Sequence, residues 1–171
     1  MIYYLTIKQV KRTNFHFDQI ISKIQNKTYP CIGSGSARQV YDLENGYVVK
    51  VAKNKKGLAQ NKAEYKISSV TKSNLFAKIP EASADYYMLI MEKADKIRDI
   101  TYVWNYFRVR NNRELLQTAE LKAISDQHDL LLADLGRPEN WGKINARPYI
   151  IDYGYTRDVM RNYYSLRLFY H

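Results

Sequence analysis

The first half of the sequence contains a glycine turn and a lysine, which are features that bind phosphate, and a glutamate that can pair with the lysine. Gly33-Ser34-Gly35-Ser36 stands between two strand-like segments, and a turn without bulky side chains lets backbone N–H groups approach phosphate oxygens. Lys50 interrupts the apolar segment 48–52, where a lysine is costly to bury unless it meets an anion. Glu64 lies on the next predicted helix and can supply the carboxylate that pairs with such a lysine.

The second half contains two oxygen-bearing side chains that suit a metal ion. Asn140 closes the segment Asp134-Leu135-Gly136-Arg137-Pro138-Glu139-Asn140, and Asp152 begins Asp152-Tyr153-Gly154 at the end of an apolar segment. Magnesium prefers hard oxygen donors and usually combines one or two carboxylates with phosphate oxygens and water. Asn140 and Asp152 are therefore the predicted metal ligands.

The elements that position these residues follow from apolar spacing and turn residues. In the first half we predict strands over 2–7, 40–43, 47–52 and 86–91 and helices over 14–27 and 57–70. Asn45-Gly46 between two strand-like segments indicates a hairpin. In the second half, apolar stripes predict helices over 100–107 and 115–124, followed by a loop over 136–142 and a strand over 148–151.

These residues, in this order, resemble the signatures of the protein-kinase superfamily. Those signatures are a glycine-rich loop, a strand lysine, a helix glutamate, a catalytic Asp followed by Asn, and an Asp-Phe-Gly triplet. The resemblance covers about residues 31 to 156. The ending Ile150-Ile151-Asp152-Tyr153-Gly154 also resembles aminoglycoside phosphotransferases and small bacterial or phage kinase-like proteins. The resemblance as a whole implies an α+β fold with an antiparallel-sheet N-lobe, one main helix and a minimal, mostly helical C-lobe.

The resemblance also implies a role for each matching residue. The loop of Gly33, Ser34, Gly35 and Ser36 is expected to cover the phosphates of ATP, which Lys50 binds while Glu64 holds the lysine. Asp134 is expected to be the catalytic base. Asn140 and Asp152 are expected to hold Mg²⁺. The domains implied are an N-terminal extension over 1–30, an N-lobe over 31–93 and a truncated C-lobe over 94–171, because only 17 residues follow Gly154.

Several departures from the kinase pattern leave alternatives open. Arg38 stands where the third glycine of the loop is expected, and Asp134 is six residues before Asn140 where the usual catalytic loop has five. Asp129 is therefore an alternative base. Lys53 fits the same apolar-x-lysine pattern as Lys50, and the length of the hairpin turn decides which of the two lysines faces the site.

Charge and composition limit the kinds of partner and the cellular compartment that the sequence suits. The chain has 171 residues and a formal charge of +10, and residues 1–80 carry 14 Lys/Arg against 4 Asp/Glu. This basic half suits nucleotide phosphates, nucleic acid or an acidic protein. The single cysteine, Cys31, and the absence of a 20-residue apolar segment predict a cytoplasmic protein. The resemblance to small bacterial or phage kinase-like proteins implies the cytoplasm of a bacterium or of a phage-infected cell.

These features are compatible with three functions. The first is an ATP- and Mg²⁺-dependent phosphotransferase with an unknown acceptor. The second is a pseudokinase or nucleotide sensor that binds a partner protein. The third is a basic-surface protein that binds nucleic acid or a host or defence protein.

Overall fold

The structure, a computed structural model, describes residues 15 to 164. The strand predicted over 2–7 lies outside the described residues. The helices are α1 Phe17–Gln25, α2 Lys55–Val70, α3 Thr101–Phe107, α4 Asn112–Gln117, α5 Ala119–Gln127 and α6 Arg157–Val159. The strands are β1 Cys31–Ser34, β2 Arg38–Asp42, β3 Tyr47–Ala52, β4 Glu81–Ala82, β5 Met88–Glu92, β6 Asp95–Lys96, β7 Trp141–Ile144 and β8 Arg147–Ile150.

The first half forms a five-stranded antiparallel sheet in the order β1-β2-β3-β5-β4. Side chains of the central strand β3 alternate between its two faces. Val49 and Val51 face Ile20 of α1 in one apolar cluster, whereas Val48 belongs to a larger cluster that includes Ile67 of α2. Lys50 therefore shares the face of Val48.

The helix α2 is the main helix of the first half and begins two residues before its predicted start. The side-chain oxygen of Asn54 accepts hydrogen bonds from the backbone N–H groups of Lys56 and Gly57, at 3.0 and 3.2 Å, and so caps the helix. The helix ends at Val70, as predicted. It presents Asn61, Glu64 and Ile67 to the interior, because all three are buried.

The second half is mostly helical and contains a small antiparallel sheet in the order β6-β7-β8. The helix predicted over 115–124 is wrong in one respect, because the chain turns at Thr118 and forms two helices, α4 and α5. The loop predicted over 136–142 contains a 3₁₀ turn at Pro138–Asn140 and then enters β7. A helical segment over Arg157–Tyr164, made of α6 and a π turn, was not predicted.

One large apolar core joins the two halves. It includes Leu89 and Met91 of β5, Leu121 of α5, and Trp141 and Ile150 of the small sheet. The α+β fold class, with an antiparallel sheet, one main helix and a mostly helical second half, is confirmed. The domain boundaries at 30/31 and 93/94 stay predictions. Within residues 15–164, no helix is long and apolar enough to span a bilayer.

Candidate functional site

Lys50 and Glu64 form a buried ion pair between β3 and α2. The Lys50 Nζ lies 2.9 Å from Glu64 Oε1 and 2.8 Å from Oε2, and it also donates to the backbone carbonyl of Ile151 at 2.6 Å. Both side chains are buried, so removal of either one would leave an uncompensated buried charge, which costs more than breaking a surface pair. Lys53 is exposed and donates to the backbone carbonyl of Gly35 at 3.0 Å.

Glu64 also joins α2 to the Asp-Tyr-Gly segment. Its Oε1 accepts hydrogen bonds from the backbone N–H groups of Tyr153 and Gly154, each at 3.1 Å. Gly154 must be a glycine here, because a Cβ would lie 2.6 Å from the backbone oxygen of Gln60 on α2. Because the two backbones approach this closely, Asp152, which directly precedes Tyr153, lies next to the Lys50–Glu64 pair.

Arg38 is a site residue that the sequence prediction missed. Its guanidinium is buried and donates to Asp152 Oδ1 at 2.6 Å, pairs with Glu64 Oε2 at 2.9 Å and donates to Asn61 Oδ1 at 3.3 Å. A signal for this role existed in the hairpin register. Val40 pairs directly with Lys50 across β2 and β3, so Arg38, two residues away, projects from the same face of the sheet.

The glycine turn lines a cleft of about 420 Å³. Its geometry is fixed by the Gly35 N–H, which donates to the backbone oxygen of Arg38 at 2.9 Å, and by Asn54, whose side chain donates to the backbone oxygen of Ser36 at 3.0 Å. A Cβ built on Gly35 would meet nothing nearer than 4.0 Å. The turn therefore leaves open space over the cleft. Among the residues that line the cleft are Gly33, Ser34, Gly35, Ser36, Arg38, Lys50, Lys96, Asp152 and Tyr164.

Tyr164 is a second cleft residue that the sequence prediction missed. Its hydroxyl accepts a hydrogen bond from the Gln60 side chain at 3.0 Å, and the Lys56 ammonium lies 4.4 Å from the centre of its ring. These contacts hold the helical segment Arg157–Tyr164 against α2. No local signal marked Tyr164, because it is one of 16 tyrosines spread along the chain.

Asp134, Asn140 and Asp152 line a smaller cavity of about 200 Å³, which shares Gln60 and Asp152 with the first cleft. The Asn140 side chain donates to the backbone oxygen of Asp134 at 2.9 Å, which fixes the two loops relative to each other. Asp129 lies elsewhere in the second half. Its carboxylate accepts from the backbone N–H of Asp158 at 2.8 Å and pairs with Arg157 at 3.7 Å.

The charges of the site balance in a compact group of two cations and two carboxylates. Burial lowers the pKa of Lys50 and Glu64 only partly offsets this, so that pKa lies below its ordinary value. Partial removal from water by itself raises the pKa of Asp152, but the charges of Arg38 and Lys50 outweigh it and hold that pKa low. Burial also lowers the pKa of Arg38, and Glu64 and Asp152 raise it above its ordinary value.

The pKa of Asp134 is shifted in the opposite direction to that of Asp152. Burial, together with the negative charge of Asp152, raises the pKa of Asp134, and the nearby Arg137 offsets this only in part. Two carboxyl groups in one cavity therefore differ in proton affinity. A carboxyl whose pKa is shifted upward is better suited to accept a proton near neutral pH than an ordinary one.

The oxygens of Asn140 and Asp152 are of the type that Mg²⁺ prefers, but one of them is already bonded. Asp152 Oδ1 accepts from Arg38 at 2.6 Å, while the Asp152 side chain as a whole is 47% exposed to the cleft. The two residues thus fit Mg²⁺ only when Arg38 releases Asp152 or when the metal uses the other oxygen. Among the described residues, no group of three or more His, Cys, Asp or Glu side chains could hold a metal ion.

Comparison with solved structures finds 46 similar chains. The chain is similar to the crystal structure of Rad53 1-466 in complex with AMP-PNP, with a TM-score of 0.46 and 18% sequence identity. The similarity covers 87% of this chain and 47% of that one, so this chain spans about half the length of that protein. No protein-family model matches the chain. No curated protein matches it either.

Proposed function

We propose that this chain is a protein-kinase-like protein that binds ATP in the cleft beneath the glycine turn. The observation that carries the proposal is the buried Lys50–Glu64 pair, which places the ammonium group at the cleft wall beside Asp152. A lysine held in this way presents positive charge to phosphate oxygens. The open space above Gly35 gives the phosphates room to approach the backbone.

We further propose that the bound ATP donates its terminal phosphoryl group to an acceptor hydroxyl. The cavity beside the ATP cleft would receive the acceptor, because the two spaces meet at Asp152. Asp134 is the proposed base, since its raised pKa suits it to take the hydroxyl proton. Mg²⁺ would neutralise phosphate charge when bound, and Asn140 and Asp152 are the residues proposed to hold it.

The proposal for ATP binding is tested by calorimetric titration of ATP into the wild-type protein and Lys50→Met. We expect saturable binding to the wild type and at least about tenfold weaker binding to the variant, a loss of about 1.4 kcal/mol. Absence of binding to the wild type, with or without Mg²⁺, would reject the proposal. Equal affinity of both proteins would remove Lys50 from the site.

Phosphoryl transfer needs a separate test with ATP labelled on its terminal phosphate. Asp134→Asn is expected to abolish transfer to protein or added acceptors, whereas Asp129→Asn is the matched control and is expected to retain it. The distinction follows from position, because Asp134 lines the cavity at Asp152 and Asp129 pairs with Arg157 away from it. Loss of transfer in Asp129→Asn alone would reverse the assignment.

A second function, nucleotide binding without transfer, is favoured by the Arg38–Asp152 contact. A guanidinium on the proposed metal ligand suits a protein that binds ATP and signals through a partner. Binding by the wild type without transfer to any acceptor would select this function. The proposals of nucleic-acid or protein partners, of a bacterial or phage source and of a cytoplasmic location rest on sequence alone and stay predictions.

A further inference from the structure

Arg38 is fixed in the site from three sides. Its NH1 group contacts Asn61 and Glu64 of α2, and its NH2 group contacts Asp152 after β8. Its side chain is only 8% exposed. The backbone oxygen of Arg38 accepts a hydrogen bond from the N–H of Gly35, so Arg38 also ends the glycine turn. The position of the guanidinium is therefore set by β2, α2 and the Asp-Tyr-Gly segment together.

The contact with Asp152 occupies one of the two carboxylate oxygens that a metal ion could use. Magnesium binds carboxylate oxygens at about 2.0–2.1 Å and requires a nearly octahedral shell, whereas Arg38 already holds Oδ1 at 2.6 Å. A metal on that oxygen would lie next to a permanently charged guanidinium. The two cations therefore compete for the same carboxylate.

The contact also changes how the cleft meets a triphosphate. Without a cation at Asp152, its carboxylate would repel the phosphates of ATP. Arg38 neutralises that carboxylate from within the protein. An arginine has five N–H donors, and the contacts with Asn61, Glu64 and Asp152 use three of them, so the guanidinium can also donate to phosphate oxygens.

We propose that Arg38 acts as a built-in cation at Asp152, so that this chain binds a nucleoside triphosphate without a divalent metal ion. The inference rests on the proposed function, because it concerns the same ATP cleft. It also assigns a role to the one residue that departs from the glycine pattern of the loop. A metal ion bound to Asp152 Oδ1 would require Arg38 to release that oxygen.

The test compares ATP binding in buffer with EDTA and in buffer with excess MgCl₂, by calorimetry on the same wild-type preparation. We expect the two dissociation constants to agree within about threefold. ATP binding that appears only with Mg²⁺ overturns the inference and leaves the proposed function standing. Absence of binding in both buffers overturns the proposed function and the inference with it.

Substitution of Arg38 gives the matched comparison. Arg38→Gln removes the charge, and we expect its ATP affinity to fall at least about tenfold in EDTA and to recover when Mg²⁺ is added. Arg137→Gln is the control, because Arg137 is an exposed arginine that lines the neighbouring cavity and not the ATP cleft, and the ATP affinity of this variant is expected to stay independent of the metal. Equal affinity of Arg38→Gln in both buffers would overturn the role of Arg38.

Arg38→Gln is checked for folding by circular dichroism and by its thermal transition before any titration. Arg38→Lys is the second variant, since it keeps a positive charge in the cleft and is expected to retain most of the binding in EDTA. The wild-type comparison alone tests metal independence. A folding defect in a variant therefore leaves the inference open to refutation.

Discussion

Glu64 accepts hydrogen bonds from Lys50 Nζ on both of its carboxylate oxygens, at 2.9 and 2.8 Å. The same carboxylate pairs with Arg38 and accepts the backbone N–H groups of Tyr153 and Gly154. One buried side chain thus connects the five-stranded sheet, α2 and the Asp-Tyr-Gly segment. Its removal affects the shape of the cleft as well as its charge.

The first prediction concerns the stability that depends on Glu64. Glu64→Ala leaves Lys50 and Arg38 as buried cations with fewer partners, and breaking a buried pair in this way costs about 3–5 kcal/mol. Urea denaturation should show that loss in the free energy of unfolding. Glu120→Ala, at an exposed position on α5, is the control and should change it by about 1 kcal/mol or less. A comparably small effect at Glu64 would contradict the linking role.

The second prediction separates the two candidate phosphate lysines. Lys50→Met is expected to lose ATP affinity at least about tenfold, while Arg38 and two backbone N–H groups still satisfy Glu64. Lys53→Met removes only an exposed contact to the carbonyl of Gly35 and is expected to weaken binding less. Calorimetric titration of both variants decides the matter. The reverse order of affinities would assign the phosphate role to Lys53.

The third prediction contrasts two glycines near the cleft. A Cβ on Gly35 meets no atom nearer than 4.0 Å, whereas a Cβ on Gly57 would lie 2.2 Å from the backbone oxygen of Ala37. Gly35→Ala should keep its stability within about 0.5 kcal/mol and weaken ATP binding, because its methyl group enters the space reserved for phosphate. Gly57→Ala should lose about 1–3 kcal/mol or more of stability. Urea denaturation and ATP titration of both proteins measure the contrast.

An unchanged ATP affinity in Gly35→Ala would show that the phosphates do not pass over this turn. A stable Gly57→Ala would show that α2 can move away from the loop before β2. The two results are independent, because one reports on the ligand and the other on packing.

Local sequence patterns were sufficient to predict most of the sheet and the main helix. The hairpin at Asn45-Gly46, the strand 47–52 and the end of α2 at Val70 all follow from neighbouring residues. The split at Thr118 was missed because a continuous apolar stripe on α4 and α5 gives no sign of a turn. The short strand β6 was missed because two polar residues carry no periodicity.

In the site, too, contacts between neighbouring elements could be predicted from the sequence, whereas contacts between distant segments could not. Lys50 and Glu64 were predicted to pair because they lie on adjacent elements, and the structure brings them together. Arg38 and Asp152 are 114 residues apart in sequence, and their contact depends on how the two halves pack. Spacing along the chain cannot predict such a contact, although the register of β2 and β3 places Arg38 on the correct face.

The last prediction concerns the pH dependence of folding stability through His128. This side chain is buried, contacts Thr71 Oγ1 at 3.1 Å and packs edge-on against the ring of Phe76. Burial lowers the pKa of His128 below its ordinary value of 6.5, so the unfolded chain takes up a proton at a higher pH than the folded chain does. The contribution of His128 to the free energy of unfolding is therefore fully present above about pH 6.5 and is lost as the pH falls toward the lowered pKa.

Thermal unfolding of the wild type and of His128→Asn, at about pH 7.5 and about pH 5.5, measures this contribution. Asparagine keeps a polar group near Thr71 but does not titrate, so the variant should lose less of its transition temperature on acidification than the wild type does. His16→Asn, at an exposed position, is the control and should follow the wild type. An equal fall in the transition temperature of wild type and His128→Asn would show that His128 does not set the acid sensitivity, and the buried contacts of His128 would then act only through packing.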